Sequence, residues 1–363
     1  MTGKQKNFLF DLLNASSPSG YETEACKVFR EELITNDVKN EFIDNIGNCA
    51  FSVGNDNGIP FMISGHIDEI ALQVQYIDDK GFIRFIKDGG VDPKTVIGRK
   101  VVIHTAKNGD YVGVIGKAPI HIEFHTKEKD KVTEIKDLKI DVGADCLEDV
   151  LSMGINVGDS ITFLNLVHFL GMNRVACGSI DDKVGVYITA EVLKRLQADE
   201  KDNHPLKMLK VYGVACTQEE IGGHGATLAA KRINPRYSID YDVTFATDDG
   251  CVKKEEWGDI KLGKGGCIAF GPDKNSSMID LMRNVCTNAG IPYQTFAVGA
   301  GMTNTLKIKL AADNCETMLL SIPERNMHTQ VEVCDLRDLD SMVDMTYEFI
   351  KTLDNKLYND SLY

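Results

Sequence analysis

Apolar positions spaced three and four residues apart indicate several helices along the chain. They predict an amphipathic helix over residues 5–14 and a second helix whose apolar positions begin at Ala25. Just before that second helix, Ser19-Gly-Tyr-Glu22 has the spacing of a capping box. A longer helix is predicted to start at Asp181-Asp182, and another lies near the C-terminus. The apolar positions of this last helix are Leu336, Leu339, Val343, Tyr347 and Ile350.

Strand signals divide the chain into two kinds of region. Between residues 70 and 165, short apolar segments recur every 10–15 residues or so, separated by Gly, Asp and Asn, which favours a small all-β barrel or sandwich. Elsewhere, apolar segments such as 209–216 alternate with helices and predict an α/β sheet covered on both faces. We therefore expect a three-layer α/β/α domain over residues 1–69 and 166–363, interrupted by a β-barrel-like domain over 70–165.

Composition and charge exclude several classes of function. The 363 residues include 54 acidic and 40 basic side chains, a formal charge of −14 that is unlike a general nucleic-acid binder. No apolar segment approaches the roughly 20 residues of a membrane span, and the early Asp11 argues against a secretory signal. The ten cysteines form no CxxC pair, as expected of reduced thiols in a cytoplasmic protein.

Polar clusters follow predicted strands or begin predicted helices, where ligands of open α/β sheets collect. Two imidazoles with several carboxylates suit two divalent ions, because zinc takes His nitrogen and carboxylate oxygen and a pair of ions needs a bridging carboxylate. One of two adjacent glutamates could bind metal while the other takes a proton from water. The clusters are His66-Ile-Asp68, Asp181-Asp182, Glu219-Glu220, Asp242 and His328.

Each cluster taken alone has an ordinary structural explanation. His66-Ile-Asp68 is most often a surface pair, and Asp181-Asp182 before an apolar-periodic segment is more often a helix cap. Glu219-Glu220 in isolation is usually solvated. The metal-site hypothesis therefore depends on the combination of the clusters and on their order along the chain.

That combination resembles the tetrahedral aminopeptidase family, dinuclear metallopeptidases also called glutamyl aminopeptidase-like, some of which are labelled endoglucanases. The resemblance runs nearly from end to end. The segments that carry it are Ser19–Glu22, Gly65–Ile70, Asp137–Gly143, Asp181–Gly185, Glu219–Gly222, Asp242–Asp248 and His328.

The resemblance implies a set of metal ligands. His66 and Asp242 would complete one metal site, Glu220 and His328 would complete the other, and Asp181 would bridge the two ions. Zinc and cobalt are the expected metals. The Asp181–Asp182 peptide bond would be cis, as in similar enzymes.

The resemblance also implies the reaction and the assembly. Glu219 would be the general base that activates water, Asp68 would orient His66, and the product would be the N-terminal amino acid of a peptide. The inserted β domain would serve oligomerisation and substrate access. Peptides and further copies of the chain, from dimer to dodecamer, are therefore the expected partners, with no nucleic acid and no membrane.

The sequence departs from the family in a few places. Lys183 stands where Arg is common, and Asn304 replaces an Asp near the expected substrate pocket, which affects substrate choice. The approach to the histidine, Pro323-Glu-Arg-Asn-Met, lacks the usual aromatic residue. No expected ligand or base is missing, so we predict a competent enzyme.

Two other motifs offer different chemistry. Residues 258–265 approach a P-loop but end in Gly instead of Ser or Thr, so a structural turn is favoured. His121, Glu123 and His125 alternate as a strand-borne metal site would, although a loop is favoured.

Other activities stay open as alternatives. A related two-metal deacylase or carboxypeptidase is the main one, and a glycosidase or a non-catalytic scaffold is less favoured. A glycosidase would leave both histidines without a role. The β insertion lies between His66 and Asp181, which favours the aminopeptidases.

Overall fold

A mixed eight-stranded sheet forms the centre of the molecule in the computed structural model, which describes residues 1–119, 121, 134–299 and 303–362. The strands are β1 (Lys39–Ile43), β2 (Cys49–Gly54), β3 (Ile59–His66), β4 (Ala71–Ile77), β5 (Ile83–Asp88), β6 (Lys100–Thr105), β7 (Gly109–Ile115), β8 (Ile140–Asp141), β9 (Ser160–Phe163), β10 (His168–Leu170), β11 (Arg174–Cys177), β12 (Leu209–Cys216), β13 (Tyr237–Phe245), β14 (Gly266–Phe270), β15 (Tyr293–Ala297), β16 (Glu316–Glu324) and β17 (Glu332–Asp335).

Helices flank this sheet and connect its strands, and within the described residues none is long and apolar enough to cross a membrane. The helices are α1 (Gly3–Asn14), α2 (Thr23–Thr35), α3 (Pro93–Val96), α4 (Leu147–Ser152), α5 (Ile180–Lys201), α6 (His224–Ile233), α7 (Lys254–Trp257), α8 (Ser276–Ala289), α9 (Asn304–Ala311) and α10 (Leu336–Asp360).

The strand order places four parallel strands side by side. The order is β1-β2-β12-β3-β13-β16-β14-β15, in which β12, β3, β13 and β16 run parallel to one another. The β1–β2 hairpin pairs antiparallel with β12, and β14 pairs antiparallel with β16. The carboxyl ends of the four parallel strands therefore meet at one edge of the sheet.

Both faces of the sheet are covered, which confirms the three-layer fold. Alternate residues of a strand point to opposite faces. Phe61 and Ile63 of β3 accordingly join the larger core with α1, α2, α5, α8 and α10, whereas Met62 packs in a second core with α6 and α9. Since both faces of β3 are apolar, it is a buried central strand.

The predicted barrel is present between β3 and α5. Strands β4, β5, β8, β7, β6 and β9 close on themselves and enclose their own apolar core, with Phe85, Ile103 and Ile161 among its fully or nearly fully buried side chains. The fold class of an α/β domain with an inserted barrel is confirmed. The division of the chain at residues 69 and 166 stays a prediction.

The capping-box prediction was wrong. Helix α2 begins at Thr23, and Glu22, its N-cap residue, makes no side-chain capping bond. The Ser19 hydroxyl instead donates to the carboxylate of Asp68 at 2.6 Å, and Glu22 accepts from the backbone N–H groups of Gly20 and Gln218. Both polar side chains are used by tertiary contacts near the strand ends, so neither serves the helix.

Two other local predictions concern backbone geometry. Asp181 and Asp182 have non-helical dihedral angles although they lie at the start of α5, and the peptide bond between them is cis, as the resemblance implies. Residues 258–265 form a turn in which the N–H groups of Gly263 and Gly265 each donate to the Asp338 carboxylate at 2.7 Å. A carboxylate of the chain itself thus occupies these amides, which argues against a phosphate site. Glu123 and His125 lie outside the described residues.

Candidate metal centre

Six of the seven predicted site residues line one cavity of about 170 Å³ at the carboxyl ends of the parallel strands. His66 ends β3, the glutamates follow β12, Asp242 lies near the end of β13, His328 lies in the loop after β16, and Asp181 opens α5. The six are His66, Asp181, Glu219, Glu220, Asp242 and His328. The seventh, Asp68, is fully buried against this group.

The Asp181 carboxylate lies between the two imidazoles. Its Oδ1 is 3.0 Å from Nε2 of His66, and its Oδ2 is 3.3 Å from Nε2 of His328. Oε1 of Glu220 lies 3.6 Å from the same nitrogen of His328. Each oxygen of Asp181 therefore faces a different imidazole, as a carboxylate shared by two metal ions would.

The closest group of possible ligands among the described residues combines His66, Asp181 and Glu220, whose donor atoms lie within 4.8 Å of one another. Asp242 lines the same cavity without belonging to that closest group, and one of its oxygens accepts from the N–H of Val243 at 2.8 Å. The site thus gathers nitrogen and oxygen donors around the carboxylate of Asp181.

Both imidazoles are held by the nitrogen that faces away from Asp181. Nδ1 of His66 lies 3.1 Å from the backbone carbonyl oxygen of Asp68, and Nδ1 of His328 lies 3.1 Å from that of Gly90. A carbonyl oxygen only accepts, so each Nδ1 carries a hydrogen, and in the neutral imidazole that a metal ion requires each Nε2 keeps its lone pair. Metal-binding histidines are commonly oriented in this way.

Asp68 contacts more of the site than His66, the residue that it was expected to orient. Besides the Ser19 hydroxyl, its carboxylate accepts from the N–H groups of Glu219 at 2.9 Å and Glu220 at 3.1 Å. Although burial raises the pKa of Asp68, its bonds to His66, Ser19 and this backbone outweigh burial and lower it. The buried carboxylate is therefore ionised, and it fixes the backbone turn at Glu219 and Glu220, called the glutamate turn below.

Sequence reasoning missed Glu332, which holds two of the candidate ligands. One oxygen of this fully buried carboxylate accepts from the N–H groups of Ile180 at 2.8 Å and Asp181 at 3.3 Å. The other accepts from the N–H of His328 at 3.0 Å. A lone glutamate in β17 belongs to no motif, and its place four residues after His328 was the sole signal in the sequence.

The donor set fits divalent cations electrostatically. Burial and the nearby charge of Asp181 raise the pKa of Glu220 to about 8 and that of Asp242 well above its ordinary value. Hydrogen bonding to Asp181 raises the pKa of His328 to about 9. The pocket gathers more buried carboxylate than two imidazoles balance, and divalent cations would relieve that repulsion. Imidazole and carboxylate are also the ligands of catalytic zinc.

The two substitutions noted in the sequence lie close to this centre. Lys183 is fully buried, and its Nζ donates to the carbonyl of Ala15 at 2.6 Å and to Glu69 at 3.1 Å, so its charge is paired. Asn304 is buried at the start of α9, and its Oδ1 has no partner among the described residues. The neighbouring Thr303, and not Asn304, lines the cavity within the described part of the chain.

Comparisons with known proteins agree with the fold and identify relatives of the chain. The family model of the M42 glutamyl aminopeptidases matches residues 47–345. Lysyl aminopeptidase from Pyrococcus furiosus is 30% identical over 347 residues, which cover 94% of this chain and 95% of that protein.

Solved structures extend the likeness over nearly the whole chain. An aminopeptidase from the archaeon Desulfurococcus kamchatkensis superimposes with a TM-score of 0.86 at 33% identity and covers 96% of this chain and 94% of its own. The TET1 peptidase of Pyrococcus horikoshii, which can assemble into a tetrahedron or a large octahedral shell, gives a TM-score of 0.81 at 28% identity. It covers 95% of this chain and 99% of its own.

Gly90→Ala is expected to disturb His328. A Cβ at Gly90 would lie 2.4 Å from Nδ1 of His328, so the imidazole must move away from Asp181. We expect zinc affinity to fall at least about 10-fold and turnover about 100-fold, measured by equilibrium dialysis and initial rates. Gly116→Ala is the matched control, because a Cβ there meets nothing within 4 Å. Equal zinc affinity in the two variants would contradict the steric argument.

Glu332→Gln is expected to weaken zinc binding by about 10- to 100-fold, because an amide nitrogen cannot accept from the backbone as the carboxylate does. Zinc affinity is measured by equilibrium dialysis, with the melting temperature as a check on folding. Glu191→Gln is the control. Glu191 is buried like Glu332, but it lies on α5 and accepts from the side chains of Gln5 and Lys194. Full zinc affinity in folded Glu332→Gln would exclude a positioning role.

Proposed function

This chain belongs to the M42 glutamyl aminopeptidase family, and from that membership and the cavity we infer that it releases the N-terminal residue of peptides. The observation that carries the proposal is the Asp181 carboxylate, whose two oxygens face two different imidazoles. A carboxylate that faces two ligands in this way suits a hydrolase that uses a pair of metal ions roughly 3.5–4 Å apart.

We assign the ligands as the family resemblance does. His66 and Asp242 would hold one ion, Glu220 and His328 would hold the other, and Asp181 would serve both. Zinc or cobalt is the proposed metal, since imidazole and carboxylate suit either. When bound, the ions would polarise the scissile carbonyl and make the attacking water more acidic.

Glu219 is the proposed general base. Its half-buried side chain lines the cavity, and its N–H is fixed on Asp68. The carboxylate would take a proton from the attacking water and pass it to the peptide nitrogen as the C–N bond breaks, so the free carboxylate is restored. Asp68 would keep both the glutamate turn and His66 in place.

Self-association is the second part of the proposal, in the range from dimer to dodecamer. The relative from Pyrococcus horikoshii assembles into large shells. In this chain the segment 164–172 exposes a group of apolar side chains of the kind that interfaces cover. They are Leu164, Leu166, Phe169, Leu170 and Met172, the last 89% exposed.

Domain roles and location complete the proposal. Residues 1–69 and 166–363 would form the catalytic domain, and 70–165 would serve oligomerisation and substrate access. The ten cysteines are all free thiols, as proteins of a reducing compartment keep them. We therefore propose a cytoplasmic location.

The activity is tested with a panel of aminoacyl reporter amides after chelation and again after adding zinc or cobalt. We expect metal-restored cleavage of substrates with a free amino terminus, and none of N-acetylated controls. Glu219→Gln should retain metal but lose about 10²- to 10⁴-fold in rate. Glu191→Gln serves again as the control.

Three results would contradict these assignments. Cleavage of the N-acetylated amides would favour a deacylase. Normal turnover in Glu219→Gln would remove Glu219 from its role. Two bound metals with no cleavage of any amide would reject the aminopeptidase.

Asp181→Ala is expected to lower the affinity for both ions, because a single carboxylate faces both imidazoles. Metal content is measured by elemental analysis after dialysis against a fixed zinc concentration. We expect less than one ion per chain in the variant and two in the parent. Two retained ions would disprove bridging by Asp181.

A further inference from the structure

We propose that the cavity beside the metal centre selects an uncharged, apolar N-terminal residue, of about the size of leucine or methionine. This inference rests on the proposed aminopeptidase function. It differs from the preference in the family's description, glutamyl, and from that in the name of the relative from Pyrococcus furiosus, lysyl.

Apolar side chains form the wall of the cavity away from the metal ligands. They come from β13, from the middle of β16, from the end of β15 and the residue after it, from the end of α7, and from the loop after β16, so the wall extends from the metal centre along this side of the sheet. The wall includes Phe245, Trp257, Phe296, Val298, Leu319 and Met327.

Part of this wall is rigid core. Phe296 and Leu319 are buried and pack with Ile260, Cys267 and Ala269 in a separate apolar cluster. Phe245 and Trp257 contact each other edge to face, with ring centres 4.7 Å apart. Such packing leaves little freedom for a polar group to swing into the pocket and meet a charged substrate.

The apolar wall has no charged side chain among its described residues. Apart from the metal-centre residues, the described lining side chains are apolar or are neutral hydroxyls from Thr244, Thr303 and Ser321. Two charged side chains close to this wall in sequence, Asp248 and Arg325, bond each other at 2.8–2.9 Å. A buried lysine or glutamate side chain of the substrate would therefore find no free partner charge among the described residues of this wall, which is costly.

The size of the cavity favours a single side chain. The whole cavity, with the metal-centre side included, has a volume of about 170 Å³, below the roughly 300–1,000 Å³ of clefts that take drug-sized ligands. Trp257 is half-buried at the wall, and a larger substrate side chain would have to displace it. Leucine and methionine gain apolar contact there, whereas alanine leaves part of the space empty.

The experiment compares kcat/KM for aminoacyl reporter amides of Leu, Met, Ala, Lys and Glu with the zinc-loaded protein. We expect Leu and Met to exceed Lys and Glu at least about 100-fold, because the charged side chains lose their solvation without a partner. Leu should exceed Ala about 10-fold or more. Preference for Lys or Glu would overturn the specificity and leave the aminopeptidase function standing.

Val298→Glu tests the wall directly by adding one negative charge. We expect kcat/KM for Lys relative to Leu to rise at least about 10-fold. Val142→Glu is the matched control, since Val142 is also partly buried but packs on the barrel core, and it should leave the ratio unchanged. An unchanged ratio in Val298→Glu, or the same change in both variants, would overturn the assignment of this wall.

A binding measurement separates specificity from catalysis. Trp257 is the only tryptophan of the chain and lines the pocket, so its fluorescence reports on occupancy. Titration of the zinc-loaded protein with L-leucine or L-methionine should give a saturable change, and L-lysine or L-glutamate at the same concentrations should not. A saturable response to L-lysine or L-glutamate alone would overturn the proposal. If no amide were cleaved while L-leucine still bound, the aminopeptidase function would fail but the apolar pocket would stand.

Discussion

The candidate site depends on one carboxylate held between two imidazoles. Asp181 can face both His66 and His328 only because its backbone is fixed, and the buried Glu332 fixes it by accepting from the N–H groups of Asp181 and His328. Asp182 adds a second constraint, since its carboxylate accepts from the N–H of His66 at 3.3 Å. The start of α5 and the end of β3 are thereby joined, and this junction together with the bond from the N–H of His328 to Glu332 sets the distance between the two imidazoles.

Segments far apart in the chain contribute to this geometry without supplying a ligand. The N-terminal segment provides Ser19 to Asp68, and the loop after β5 provides the carbonyl of Gly90 to His328. A barrel inserted between β3 and α5 therefore touches the metal centre itself. The close approach of this loop to His328 also explains why residue 90 is glycine, since any side chain there would meet the imidazole.

The cavity combines two environments that serve different steps of the proposed reaction. One wall gathers carboxylates, where burial and repulsion from Asp181 raise the pKa of Glu220, and such a wall favours bound cations. The other wall is apolar and gains by removing a substrate side chain from water. Both walls border the same cavity, and β13 carries a residue of each, with Asp242 three residues before Phe245.

The α/β fold, the barrel between His66 and Asp181 and the set of polar clusters were all predictable from the chain, because periodicity and chain order record which residues are buried and which strands end in polar groups. It misread Ser19-Gly-Tyr-Glu22 as a helix cap, since local spacing does not show that Ser19 reaches Asp68. The role of Glu332 and the contact of Gly90 with His328 are visible only in the tertiary structure. The physical reason is that hydrogen bonds between distant segments, unlike helical or strand periodicity, leave no repeating pattern in the chain.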